Sequence, residues 1–200
     1  MAAIASSPIH RIAHFVSYLL HPAILMLTTI ALLSYSAGSA SWQIALDVVI
    51  IMLGITPGLA YIIIKTRRGE TTHYHLLLKE ERYIVFPIMI AGLVASLALS
   101  YALGRPAIIN QGIIWGLIVG TGAAIINRFW KISLHAAVGG GCAALLLPVS
   151  LPLMSFVLIL AIISGLARLP IRHHTVAQVI IGWLYGFGLT AILFWVASSR

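Results

Sequence analysis

The sequence predicts an all-α protein, a polytopic membrane helix bundle of six to seven transmembrane helices, on three observations. Of its 200 residues, 61% are hydrophobic and only 8% are charged, whereas a water-soluble domain carries roughly a quarter charged residues. Apolar runs long enough for a membrane span, about 20 residues, recur along the chain. These runs do not alternate polar with apolar residues as barrel strands do. Backbone groups in hydrocarbon must pair internally, so the remaining solution is helical.

Seven spans are expected in order: 12–35, 42–64, 83–103, 112–127, 133–149, 151–167 and 175–197. The first is read as a retained span, because its apolar run is too long for a signal-peptide core and lacks a convincing cleavage site. The fifth and sixth share a stretch from Ile132 to Ala167 that has no Lys, Arg, Asp or Glu. Pro148 and Pro152 fold that stretch into two short spans, since proline ends helices. The polar segment 65–82 reads KTRRGETTHYHLLLKEER. Its second half, 74–82, is expected to form an interfacial amphipathic helix. Nothing marks a second domain, so 1–200 is a single integral membrane domain.

The chain carries 12 Lys+Arg against 4 Asp+Glu, a formal charge of +8. In a soluble protein this balance would raise nucleic-acid binding. Here the cations are not interleaved with aromatics in a soluble basic motif, and no nucleic-acid partner is expected. Seven spans put Arg11, Lys65, Arg67, Arg68, Lys79, Arg82, Arg128, Lys131, Arg168 and Arg172 on one side, leaving Arg105 and Arg200 on the other. That asymmetry makes the basic face cytoplasmic. The expected location is the plasma membrane of a prokaryote, with membrane lipids as neighbours. Cys142 is the single cysteine and offers neither a disulfide framework nor a metal cluster.

Three patches on the basic face carry candidate chemistry: Lys79 to Pro87, Lys131 to His135, and Arg168 to Gly186. Lys and Arg supply charge-assisted donors to phosphate, Arg in bidentate geometry. One histidine can attack phosphorus covalently and another can protonate the leaving oxygen. A serine hydroxyl and helix N-terminal N–H groups can hold the remaining oxygens. Each patch opens a span, so helix dipoles favour an anion there.

These patches resemble the three motifs of the type 2 phosphatidic acid phosphatase (PAP2) family: K-x6-RP, PSGH and SR-x5-H-x3-D. Lys79 and Pro87 match the first, with Phe86 where the family has arginine. Ser133 and His135 match the second, with Ile132 and Leu134 for Pro and Gly. Arg168 and His174 match the third at its spacing, with Ala167 for Ser and Gln178 for the aspartate. Gly182 and Gly186 continue that helix with small residues suited to close packing. The resemblance implies a PAP2-like core over about 79–190, preceded by two additional N-terminal spans.

It also implies a phosphoric monoester or pyrophosphate hydrolase acting on a lipid phosphate or an isoprenoid pyrophosphate, without metal or cofactor. His174 would be the nucleophile and His135 the acid. Lys79, Arg168 and Ser133 would bind phosphate. Arg82 or Arg172 would stand in for the arginine missing at Phe86. Gln178 would accept the imidazole N–H from its i,i+4 position without supplying a negative charge. Reduced activity is therefore one implication. The alternative is a non-catalytic lipid-phosphate binding or transport protein on the same scaffold.

Other polar residues have plainer readings. His73 and His75 lack the carboxylates or cysteines of a metal site. His10, His14 and His21 are read as packing or interfacial, although His14 and His21 share a helical face. Asp47 lies five residues into its span, where an interfacial acid near a helix N-terminus is favourable. A cavity-facing Asp47 with the first-span histidines would instead suggest an ion-coupled transporter.

Overall fold

The computed structural model describes residues 7–70 and 82–199, and all regular structure among them is helical. Eight helices follow one another: α1 Pro8–Leu19, α2 Pro22–Ser36, α3 Ser41–Arg67, α4 Arg82–Ala102, α5 Ala107–Phe129, α6 Leu134–Leu145, α7 Leu151–Leu166 and α8 Val176–Ser198. α3, α4, α5 and α8 are long and apolar enough to cross a membrane, and α1 with α2 makes a fifth candidate if the bent pair is one span. This is a helical membrane protein. The expected interfacial helix over 74–82, and Lys79 with it, lies outside the described residues except for Arg82, which opens α4.

Each of the seven expected apolar stretches falls on a helix, but two departures have a clear physical cause. The first stretch is not one helix. It bends by 41° at Leu20–His21. Pro22 has no N–H for the Tyr18 carbonyl and its ring crowds that carbonyl; the Tyr18 oxygen accepts from His21 N instead, at 3.3 Å. The fifth and sixth stretches give helices of 12 and 16 residues. At 1.5 Å per residue, α6 is about 18 Å long, against a hydrocarbon core of about 30 Å. Pro148 lies in the turn between them, while Pro152 sits in the first turn of α7, where its missing N–H costs no helical bond.

The chain divides into two compact units, Met1–Thr29 with Ile132–Arg200, and Ile30–Lys131. In the first, α6 is the central helix. It packs along α7 and α8, while α1 lies against α7. The Leu20 carbonyl, released by the bend, accepts from Ser164 Oγ at 2.8 Å and ties α1 to α7. Trp183 Nε1 donates to the Ala161 carbonyl at 3.1 Å and ties α8 to α7.

In the second unit, α4 packs between α3 and α5. α3 and α4 meet at Gly54 and Gly92, where a Cβ on Gly92 would overlap the Gly54 carbonyl. Ser96 Oγ donates to the Ile50 carbonyl at 2.7 Å beside that contact. Arg82 is buried and its Nη1 donates to Asn127 Oδ1 at 3.3 Å.

Asp47, expected near a helix N-terminus, lies in the second turn of α3. It is fully buried. Arg105 Nε and Nη2 donate to its two carboxylate oxygens at 2.7 and 3.0 Å, and Ser34 Oγ donates to Oδ2 at 2.6 Å. Arg105 Nη2 also reaches the Gln43 carbonyl at 3.4 Å. Sequence spacing hid this pair because Arg105 lies 58 residues away. Removing one partner of a buried pair leaves an uncompensated charge, at a cost of about 3–5 kcal/mol. Asp47→Leu is therefore expected to lower the unfolding temperature in detergent strongly, and Asp47→Leu with Arg105→Met to recover much of the loss. A double variant no more stable than the single one would contradict this assignment.

Candidate functional site

The candidate site lies in the unit formed by 1–29 and 132–200. All four acidic residues, Asp47, Glu70, Glu80 and Glu81, fall outside these segments. The unit thus carries arginines and six of the eight histidines with no carboxylate side chain, a composition that favours anions.

Two helix starts and one helix end meet here. Ser133 is the N-cap of α6 and Thr175 that of α8. The starts are joined directly, since Ser133 N–H donates to the Gln178 carbonyl at 3.3 Å. α7 ends at Leu166, and the chain then turns through 167–174 into α8. His173 N–H donates to the Arg168 carbonyl at 3.2 Å, closing that loop. Arg172 takes φ 54° to make the turn, a left-handed conformation costing a non-glycine residue about 1–2 kcal/mol.

Gln178 organises the histidine beside it. Its Oε1 accepts from the Thr175 backbone N–H at 3.2 Å, and Thr175 Oγ1 accepts from Gln178 N–H at 3.3 Å. This is a reciprocal capping box. A backbone N–H can only donate, so the side-chain atom it meets is the amide oxygen. The same oxygen lies 3.0 Å from His174 Nδ1. Since that oxygen can only accept, Nδ1 carries the proton. In the neutral ring the lone pair then sits on Nε2, the atom a nucleophilic imidazole uses.

The surrounding side chains are withdrawn from solvent. Arg168 is only 1% exposed, and its Nη1 donates to Ser17 Oγ of α1 at 2.6 Å. His135 is buried in the first turn of α6, and its ring meets that of His21 edge to face at 5.5 Å. Ser133 Oγ is buried with no hydrogen-bond partner among the described residues. A buried hydroxyl left so is costly unless a ligand or water meets it.

Ser133, His135, Arg168, His174 and Gln178, expected to act together, thus belong to one compact unit at joined helix ends. Arg172 is in the same unit, with its side chain exposed. Arg82 belongs to the other unit and is bonded to Asn127. Lys79 lies outside the described residues. Reading residues singly missed Ser17. Its signal was the spacing of His10, His14, Ser17 and His21, at i, i+4, i+7 and i+11, along one helical face. The capping role of Gln178 was likewise legible as Thr-x-x-Gln.

Compared with family models, curated proteins and solved structures, the chain matches none.

Nitrogen NMR of histidine-labelled protein in detergent is expected to show neutral His174 as the Nδ1–H tautomer. Gln178→Leu should lose that preference while leaving the other rings unchanged. An Nε2–H tautomer in the unaltered protein would contradict the hydrogen-bond assignment.

Proposed function

We propose that the chain is a PAP2-like membrane phosphatase of six to seven spans, with its core over about 79–190. It hydrolyses a lipid phosphate or an isoprenoid pyrophosphate through His174. The apolar tail of the substrate stays in the bilayer while its phosphate reaches the Arg168 side. The ten-to-two division of cations supports a cytoplasmic placement of the loop carrying Arg168.

The observation that carries this reading is the contact of His174 Nδ1 with Gln178 Oε1 at 3.0 Å. It directs the Nε2 lone pair towards use as a nucleophile. In the first step Nε2 attacks phosphorus, the P–N bond forms and the P–O bond to the alcohol or phosphate leaving group breaks. His135, as imidazolium, gives the leaving oxygen its proton. In the second step water attacks the phosphohistidine and passes a proton to His135. The P–N bond breaks, releasing phosphate and restoring His174. Arg168 and the Ser133 hydroxyl hold the phosphoryl oxygens as charge develops on them.

Gln178 favours a second reading, a lipid-phosphate binder or transporter. A neutral amide orients the imidazole but does not stabilise its positive charge, and in another enzyme class the comparable amide replacement costs about 10⁴ in rate.

Phosphate release from lipid phosphates by the purified protein separates these readings. The phosphatase reading expects release that His174→Ala abolishes and that Gln178→Asp increases. Release unaffected by His174→Ala overturns it. Lipid phosphate that co-purifies without turnover, and is lost in Arg168→Ala, establishes the binding reading instead.

A further inference from the structure

The phosphate site described above is closed. Ser133, His135, Arg168 and His174 are each less than a tenth exposed, and a phosphoryl group needs several of them at once. Arg168 already holds an oxygen, since its Nη1 donates to Ser17 Oγ of α1 at 2.6 Å. A phosphoryl oxygen would accept the same bond. Ser17 and a phosphate therefore compete for this nitrogen.

α1 is attached differently from the other helices of its unit. α6 and α8 are locked together at Gly182 and Gly186, where there is no room for a side chain, and α7 is bonded to α8 through Trp183. α1 meets the loop after α7 through smaller contacts. Ala13 and Val16 pack on Ala167 and Ile171, and the His14 and His173 rings meet at 6.0 Å. Its outer face, with Ile9, Ile12, Phe15 and Leu19, is apolar and more than half exposed. That face suits hydrocarbon wherever the helix lies. Burying apolar surface from lipid gains little, so the bond from Arg168 to Ser17 is the directional contact that sets α1 over the site.

The chain also provides a pivot. Leu20 leaves the helical conformation, with φ −101° and ψ 41°, and α1 and α2 differ in direction by 41° across it. Pro22 has no N–H to carry the helical ladder through this junction. Ser164 Oγ donates to the Leu20 carbonyl at 2.8 Å and holds α1 at that end. Ser17 lies three residues away, so a modest rotation about Leu20 parts it from Arg168.

We propose that α1 is a lid over the phosphate site, hinged at Leu20–Pro22 and latched by the bond between Arg168 and Ser17. A lipid phosphate enters by exchanging its own oxygen for the Ser17 hydroxyl. The apolar outer face keeps the opened helix in the bilayer, where the tail of the ligand lies. This rests on the phosphate site proposed above and adds how that site opens.

The test is calorimetric titration of the full-length protein in detergent with inorganic phosphate. Ser17→Ala removes the latch hydroxyl. Ala13→Cys/Ala167→Cys, in a Cys142→Ala background, puts two thiols into the small apolar cluster, and oxidation ties α1 to the loop. Ser17→Ala is expected to bind phosphate about tenfold more tightly, the worth of one hydrogen bond to a charged group, because less of the protein is held closed. The oxidised cysteine pair is expected to lose phosphate binding and to regain it on reduction. Unchanged or weaker binding in Ser17→Ala overturns the latch, since a hydroxyl that only packs would give that result. A disulfide without effect overturns the lid, because Arg168 then reaches its ligand under a fixed helix; where Arg168→Ala still abolishes binding, the phosphate site stands. Phosphate binding that is absent, or indifferent to Arg168→Ala, overturns the lid together with the site. The expected pattern in a protein that never releases phosphate from a lipid supports the lid while the catalytic reading fails.

Discussion

Where α8 crosses α6 there is no room for a side chain. A methyl group on Gly182 would lie 2.8 Å from Ala136 Cβ and 2.9 Å from the Ser133 carbonyl oxygen, and one on Gly186 would overlap the Ala137 carbonyl. On the facing helix, Gly140 is held equally close to the backbone of Trp183 and Phe187. Small residues are how helices approach in a membrane, where burying apolar surface from lipid gains little and packing must supply the attraction. This crossing sets the distance between the two helix starts. Ser133 N–H reaches the Gln178 carbonyl only because the backbones are this close. His135, in the first turn of α6, and His174, just before the N-cap of α8, are then held within a few residues of that bond.

The electrostatics build on the same frame. Gln178 is bound by Thr175 on one side and by His174 on the other, so its amide is oriented before any ligand arrives. Such pre-organisation is the part of a histidine–carboxylate pair that geometry can supply. The missing part is charge, which a neutral amide lacks. Arg168, buried against Ser17, brings α1 to the site. The bend at Pro22 frees the Leu20 carbonyl to bind Ser164 and so fastens α1 where it can do this. Three sequence-distant segments are joined through single hydrogen bonds, each made by a buried polar group with a defined partner.

Much of this was legible in the sequence, for reasons that differ by residue. Hydropathy located the helices because a membrane span needs a continuous apolar run. Spacing located Arg168, His174 and Gln178, since they lie within one loop and the first turn of one helix. The bend at Leu20–His21 was signalled by Pro22, but the apolar run continues through it, and hydropathy cannot see a break in direction. The Asp47–Arg105 pair joins a helix interior to a loop 58 residues on, and no local pattern encodes such a distance. Ser17 escaped notice because a serine in an apolar helix commonly bonds its own backbone. Only the periodicity of the three histidines around it marked the face as occupied.

The central claim is that His174 Nε2 becomes covalently bonded to phosphorus. The most direct measurement is to quench the purified protein in alkali during turnover of a radiolabelled lipid phosphate, conditions that preserve phosphohistidine, and to map the label by peptide mass spectrometry. The account predicts label on His174, absent in His174→Ala. Turnover with no labelled histidine, or with label on another residue, would contradict it.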